Sequence, residues 1–318
     1  MIERIRALPK AELHLHIEGT LEPVLAFALA RRNGIELRFR SVEALAQAYN
    51  FADLQSFLDL YYECMAVLLR PADFADLANA YLERAARDGV RHVEMFFDPQ
   101  AHTSRGVALD DVVAGLRSAV LEAPARHGLS ATLIACFVRD RPVAEAMTTL
   151  EGLARHLDVV AGVGLDSAEV GNPPSAFREV FEAAAQLGLR RVAHAGEEGP
   201  PAYVWEALDV LGVERIDHGI RAAEDGALLR RLATDRVPLT VCPLSNLRLR
   251  CVDSLEQHPL PQLLDAGVLV TINSDDPAYF GGYVAENYLA IQRALGLDIT
   301  TLEALARNSL AASFATSG

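Results

Sequence analysis

One repeated pattern limits what this chain can become. From residue 90 onward, short apolar runs ending in turn residues alternate with longer stretches of helical periodicity. The spacing predicts strands over 90–97, 131–138, 159–166, 189–194, 215–218, 237–242 and 268–273. It predicts helices over 110–125, 144–157, 174–187, 202–211, 224–234, 260–266 and 283–295, with Ser309 in a last helical segment. An eighth strand stands far upstream, in Lys10-Ala-Glu-Leu-His-Leu-His-Ile-Glu-Gly-Thr20. There Leu13, Leu15 and Ile17 alternate with His14 and His16, a period of two. Strands that alternate with helices pair in parallel, and eight such units predict an α/β fold closed as a (β/α)8 TIM barrel. An open doubly wound sheet would want a glycine-rich phosphate loop after an early strand, and the first strand ends in histidines instead. No linker or low-complexity tract divides the chain, so 1–318 reads as a single domain.

The gap after the first strand is the exception. Roughly seventy residues precede the next strand, against two to six for an ordinary βα loop. A helix is predicted over 22–32, stopped by Asn33-Gly34, and Ser41 has the position of an N-cap. Leu54, Phe57, Leu58 and Tyr61 share one helical face, and Pro71 opens a further helix that Gly89 closes. Residues 20–88 are therefore expected to form a helical cap inserted over the barrel mouth.

Composition removes several classes of function. The formal charge of -14, with no basic run, excludes nucleic acid as a partner. No apolar run reaches ~18 residues, so no membrane span is expected. The start, Met-Ile-Glu-Arg-Ile-Arg, lacks an apolar signal region, and the four cysteines show no CxxC spacing. The cytoplasm is the expected compartment. Lys10 is the one lysine. A carboxylated lysine bridging two metals is hard to place from there, so any metal site should hold one ion.

In this fold, chemistry gathers at the C-terminal ends of the strands. The first strand ends in His14-Leu-His16, the fifth in His194-Ala-Gly-Glu197, the sixth in Asp217-His218-Gly219 and the eighth in Asn273-Ser-Asp275-Asp276-Pro277. Residues i and i+2 of a strand face the same side, so His14 and His16 stand together. Three imidazoles with a carboxylate suit zinc, or iron(II) under other conditions, and His14, His16, His194 and Asp275 are the candidate ligands. A water beside such an ion becomes a nucleophile near neutral pH. Glu197, three residues past a ligand, is free to move a proton. His218 can orient or deprotonate the water, and Asp276 can hydrogen-bond substrate or nucleophile.

His-Leu-His-Ile-Glu-Gly, His-Ala-Gly-Glu, Asp-His-Gly and Ser-Asp-Asp-Pro, in that order, resemble the adenosine/adenine deaminase family of metal-dependent hydrolases over nearly the whole chain. The resemblance implies one zinc on His14, His16, His194 and Asp275, hydroxide attack at C6 of a 6-aminopurine, and loss of ammonia. It implies that Glu197 protonates N1, His218 assists the water and Asp276 contacts N7 or the nucleophile. The adenosine-specific branch commonly reads His-Leu-Asp-Gly in the first motif, and Glu18 stands at that aspartate here. That branch tends to show Asp-Leu-Ala-Gly-Asp-Glu after the fourth strand. Here the stretch is Asp166-Ser-Ala-Glu169, with Glu169 in place of the glycine. Both changes narrow the space for a sugar, so Glu18 and Glu169 are expected to bind substrate. Phe-Phe-Asp-Pro-Gln100, Val-Cys-Pro-Leu-Ser-Asn246 and Asp-Asp-Pro-Ala-Tyr-Phe-Gly-Gly282 resemble bacterial and fungal adenine deaminases. The expected reaction is adenine to hypoxanthine, in purine salvage. The alternatives are deamination of adenosine or of another adenine derivative (aminodeoxyfutalosine, an N6-substituted adenine) and, more remotely, a non-catalytic zinc- or purine-binding barrel.

Overall fold

The computed structural model describes residues 1–49, 51 and 54–315. Its core is one sheet of eight parallel strands in sequence order, β1 (Lys10–His16), β2 (Val90–Phe97), β3 (Ser130–Val138), β4 (Val160–Asp166), β5 (Arg190–Ala195), β6 (Arg215–His218), β7 (Leu239–Val241) and β8 (Val270–Ile272). The barrel closes at its upper end. There the amide of His16 donates to the carbonyl of Asp275, and the amide of Asp275 donates to that of His14, at 3.1 and 2.9 Å. This closing seam runs between the histidine pair and the acidic pair, so closure of the fold and assembly of the site are one event.

All seven residues of β1 are buried, as expected of a strand with neighbours on both sides and helices outside. The predicted β7 and β8 shrink to three residues each, because Cys242 and Asn273 already turn into the loops above. A short helix that periodicity did not reveal, α1 (Ile2–Ala7), precedes β1.

Between β1 and β2 lie α2 (Pro23–Asn33), α3 (Val42–Ala48), α4 (Leu54–Met65) and α5 (Pro71–Arg87). The expected stop at Asn33-Gly34 is realised by Gly34 at φ 66°, and Ser41 caps α3 by accepting from the amide of Ala44. Helix α5 packs against α7 (Leu109–His127), which follows the short α6 (Pro99–Thr103). Gly115 of α7 lets that crossing close, since a Cβ there would overlap the carbonyl of Pro71. Helix α4 lies over the strand ends. Its Phe57 and Tyr61 pack edge-on or tilted against Tyr279 and Phe280 beyond β8, and Tyr49 stacks on Tyr279 at 4.3 Å. Among the described residues no helix is long and apolar enough to cross a membrane.

Candidate active site

Every strand-end residue singled out in the sequence is buried. His14, His194, His218 and Asp275 each offer an atom within 4.8 Å of the others. His16 joins them, with its Nε2 3.2 Å from His194 Nε2 and 3.5 Å from Asp275 Oδ1. His14 Nε2 lies 3.5 Å from the same Oδ1. His218 faces the other oxygen, Oδ2, at 3.8 Å and reaches Glu197 Oε2 at 3.5 Å. His14, His194, His218 and Asp275 thus form one cluster, His16 lies against both His194 and Asp275, and His218 is the histidine that also reaches the acid Glu197.

The donor set fits a divalent metal. The Thr240 hydroxyl donates to Asp217 at 2.8 Å, so it must accept from His14 Nδ1, 2.9 Å away. The proton is thereby fixed on Nδ1, and the Nε2 lone pair points into the cluster, where it is buried without a partner. Outer hydrogen bonds of this kind fix the tautomer of metal-binding histidines. Burial, the leading cause, lowers His16 to about 4 and holds His194 and His218 well below their ordinary value, whereas His14 is raised, Asp275 and Asp217 outweighing its burial. Neutral imidazole is the form that ligates. Burial opposes the charge of Asp275, but His14, His218 and His16 override it and hold this carboxyl well below its ordinary value.

The backbone at these positions is unusual. His218, Asp275 and Ser167 are non-glycine residues at φ 61°, 63° and 71°, and all three line the cavity above the cluster. A left-handed conformation costs an L-residue roughly 1–2 kcal/mol. Its concentration at strand ends is characteristic of functional sites. Gly19 has a matching reason: a Cβ there would overlap the Asp276 carboxylate.

Glu197 is pushed well above the ordinary carboxyl range, so it keeps its proton as a proton donor must. Burial is the main cause, reinforced by the charges of Asp275, Glu169 and Glu198. Asp276 is likewise pushed up, by burial first and then by Asp275, and its Oδ1 has no partner.

Glu169 and Glu18 are not where the sequence placed them. Neither lines the cavity. The Glu169 carboxylate accepts from four consecutive amides, those of Gly196, Glu197, Glu198 and Gly199, at 2.6, 3.0, 2.9 and 2.8 Å. It therefore clamps the loop that carries Glu197. Glu18 Oε1 accepts from the amide of Asp98 at 3.2 Å and from His102 Nε2 at 2.7 Å, and Arg105 donates to the far nitrogen of that ring. Glu169 is thus spent on backbone amides, while Glu18 keeps its Oε2 buried without a partner; neither lines the cavity, which corrects the expectation that both face a substrate.

The residues that do face the cavity on this side are Asp98, after β2, and Asp166, at the end of β4. Sequence reasoning missed them, although Asp98 lies within the Phe-Phe-Asp-Pro stretch. The visible signal was their place at strand ends. Burial pushes Asp98 up to about 8, with help from Glu18, and pushes Asp166 well above its ordinary value, with help from Asp98. Asn246 was also quoted without a role. Its amide lies 3.3 Å from His218 Nδ1 and its other end 3.3 Å from His258 Nε2. Arg139 Nη1 donates to the carbonyl of His194 at 2.7 Å. The roof of the cavity comes from α4, through Phe57, Leu58, Tyr61 and Tyr62.

A family model described as adenosine deaminase matches residues 9–317. The chain is 65% identical over 312 residues to the adenine deaminase of Streptomyces coelicolor, covering 98% of this chain and 92% of that protein. The crystal structure of adenine deaminase from Arthrobacter aurescens superposes with a TM-score of 0.96 at 57% identity, covering 98% of this chain and 95% of that one. An amidohydrolase from Burkhoderia ambifaria with bound Zn superposes with a TM-score of 0.91 at 30% identity, covering 99% of this chain and 88% of that one. From β1 to the last helix, this chain belongs to the adenosine deaminase family.

Proposed function

We propose that the chain catalyses hydrolytic deamination of adenine to hypoxanthine and ammonia, with one zinc held by His14, His16, His194 and Asp275. The observation that carries the reading is the convergence of those four side chains beneath a cavity walled by Glu197, His218 and Asp276. Similarity to named adenine deaminases supports the free base as substrate. Bound there, zinc supplies Lewis acidity and lowers the pKa of a water towards ~7.

The chain's own groups do the rest. His218 Nε2 stands between Asp275 and Glu197, where it can accept the proton of the attacking water and hold that water against one face of the ring. Glu197, kept protonated by burial, donates to ring N1 as C6 becomes tetrahedral. The amino nitrogen then takes the proton held on His218, the C6–N bond breaks with its electron pair leaving on ammonia, and the C6 hydroxyl proton passes to Glu197 as the carbonyl of hypoxanthine forms. Asp276 offers its unpartnered oxygen on the N7 side. Glu169 is a positioning residue, since it holds the four amides around Glu197 and acts through that loop. Residues 20–88 serve as the cap, α4 excluding water from the cavity through its aromatic face.

The test is ammonia release from adenine, adenosine and N6-methyladenine by metal-replete enzyme, with metal analysis of the same sample. Adenine should exceed adenosine by at least about a hundredfold in kcat/KM, roughly 3 kcal/mol of differential transition-state binding. One zinc per chain should accompany full activity. Equal turnover of adenosine would move the chain to nucleoside chemistry, and two zinc ions at full activity would overturn the one-metal site.

A further inference from the structure

Glu18 and Glu169 stand outside the cavity lining, so a group on the cavity wall must distinguish the free base from its nucleoside. We propose that Asp98 is the specificity-determining residue, its free carboxylate oxygen accepting the N9–H of adenine at the edge where a nucleoside carries its sugar. This rests on the reading of the site as an adenine deaminase and names what sets its choice of substrate.

The argument begins with the shape of the ligand. In a 6-aminopurine, N1 and N7 flank C6, and the N3–C4–N9 edge lies on the far side of the ring system. If C6 meets the histidine cluster, Glu197 after β5 and Asp276 after β8 take the two flanking positions. The far edge must then face strands that supply neither group. In an eight-stranded barrel β2 is diametrically opposite β6, which carries His218. The cavity wall on that side is Asp98, Asp166 and Ser167.

Two oxygens on this wall, Asp98 Oδ1 and Asp166 Oδ1, are buried with no hydrogen-bond partner. Asp98 is 2% exposed and Asp166 3% exposed, so solvent does not serve them. A buried carboxyl oxygen left unpaired keeps its desolvation cost, and a ligand that brings a donor recovers it. The Oδ2 of Asp166 is turned towards His16 Nδ1, 3.6 Å away, so Asp166 stands on the side of the histidine cluster. Asp98 stands beside it, its side chain in hydrogen-bond contact with that of Asp166 and its own amide fixed to Glu18. Adenine has two donor groups: the exocyclic amine, which sits at the reacting carbon, and the ring N–H at N9. Only the second can reach this wall. A nucleoside lacks that hydrogen and places a sugar carbon against the carboxylate. The same oxygen thus favours the base and disfavours its ribosylated form.

The experiment uses metal-replete enzyme and compares binding of hypoxanthine with 9-methylhypoxanthine by calorimetry, alongside adenine kinetics. The unmodified chain should bind hypoxanthine about 10-fold more tightly, the worth of one hydrogen bond to an otherwise unpaired buried oxygen. In Asp98→Ala the ratio should fall to within about threefold, with zinc content retained and the loss in adenine turnover lying mainly in KM. Asp98→Asn, which keeps the volume and the backbone contacts, should give an intermediate ratio and guards against a folding artefact. A ratio unchanged in either folded variant, or equal weakening of both ligands, overturns the role of Asp98 while leaving adenine deamination intact. No ammonia from adenine with the unmodified, zinc-loaded chain overturns the functional reading, and the role of Asp98 falls with it.

Discussion

Below the histidine cluster, Arg215 meets Glu94 at 2.7 Å with both side chains fully buried. Arg215 also donates to the carbonyl of Leu13 at 3.1 Å and lies over the ring of Phe314 at 4.5 Å. Above the cluster, Asp98, Asp166 and Asp276 are also buried, and among the described residues no arginine or lysine pairs with any of them. The two halves of one barrel therefore treat buried charge in opposite ways, and their acidities record it. Burial works to raise Glu94, but Arg215 overrides it and the carboxyl sits below its ordinary value. Burial also works on Asp98, and nothing there opposes it strongly enough, so it rises to about 8. In the lower half the counter-charge is a residue of the fold. In the upper half that place is left for what the site binds. Stability and function are separated along the barrel axis, as expected where conserved chemistry sits at one end of this architecture.

Three substitutions or titrations sharpen that contrast. The largest effect is expected at the upper end. Glu197→Gln should retain fold, zinc and thermal stability but lose roughly 10²–10⁴-fold or more in kcat, because an amide cannot deliver the proton to N1. Steady-state kinetics, metal analysis and a thermal melt together check it, and near-normal turnover would send the search for the proton donor elsewhere. The next effect belongs to the lower half and should appear in stability. Arg215→Met leaves Glu94 buried and uncompensated, a loss of about 3–5 kcal/mol by urea unfolding. Adding Glu94→Gln should restore much of it. If the double variant were no better than the single one, the paired lower half would not differ from the upper in the way described.

The smallest effect concerns Lys10, at the foot of β1, whose ammonium donates to the carbonyl of Asp88 at 2.5 Å. Burial, outweighing the attraction of Asp88 and Glu12, lowers it from 10.5 to about 8. Between those two values the unfolded chain binds a proton that the folded chain has released. This group therefore makes stability rise with pH from about 8 to about 10.5 and contributes no slope below that window. Lys10 is the one lysine of the chain, so a carbon-labelled lysine sample gives a single titrating side-chain signal. A midpoint near 10.5 would show that the foot of β1 is wetter than its packing implies.

Much of this was legible in the sequence, for identifiable reasons. The strand-end histidines and the Asp275-Asp276 pair could be read because a parallel barrel fixes where strand ends point; His14 and His16 meet in the cluster even though the pairing of β1 with β2 shifts register between Glu12 and Leu15. The two glutamates could not be placed by the same logic. Glu18 and Glu169 stand in loops just past strand ends, where direction is set by local hydrogen bonds with no periodicity to announce them. Glu169 turns to the amides of 196–199 and Glu18 to His102, contacts across 27 to 84 positions of sequence. Asp98 and Asp166 were overlooked because a single aspartate before a proline or a turn is commonplace. Only the folded barrel shows that two such residues share a wall. The short helix α6 escaped for a related reason: five residues carry too little periodicity to read.

The clamp of Glu169 has an effect beyond holding a loop. Four backbone N–H groups aimed at one point form an anion trap of the kind that nucleotide-binding proteins use to seat phosphate. In this chain the seat is already taken by a tethered carboxylate that cannot diffuse away. Inorganic phosphate and the phosphoryl tail of a nucleotide therefore meet no vacant ring of amides there, only negative charge. An enzyme built this way can work in a phosphate-rich medium and among a large pool of nucleotides without being blocked at this loop.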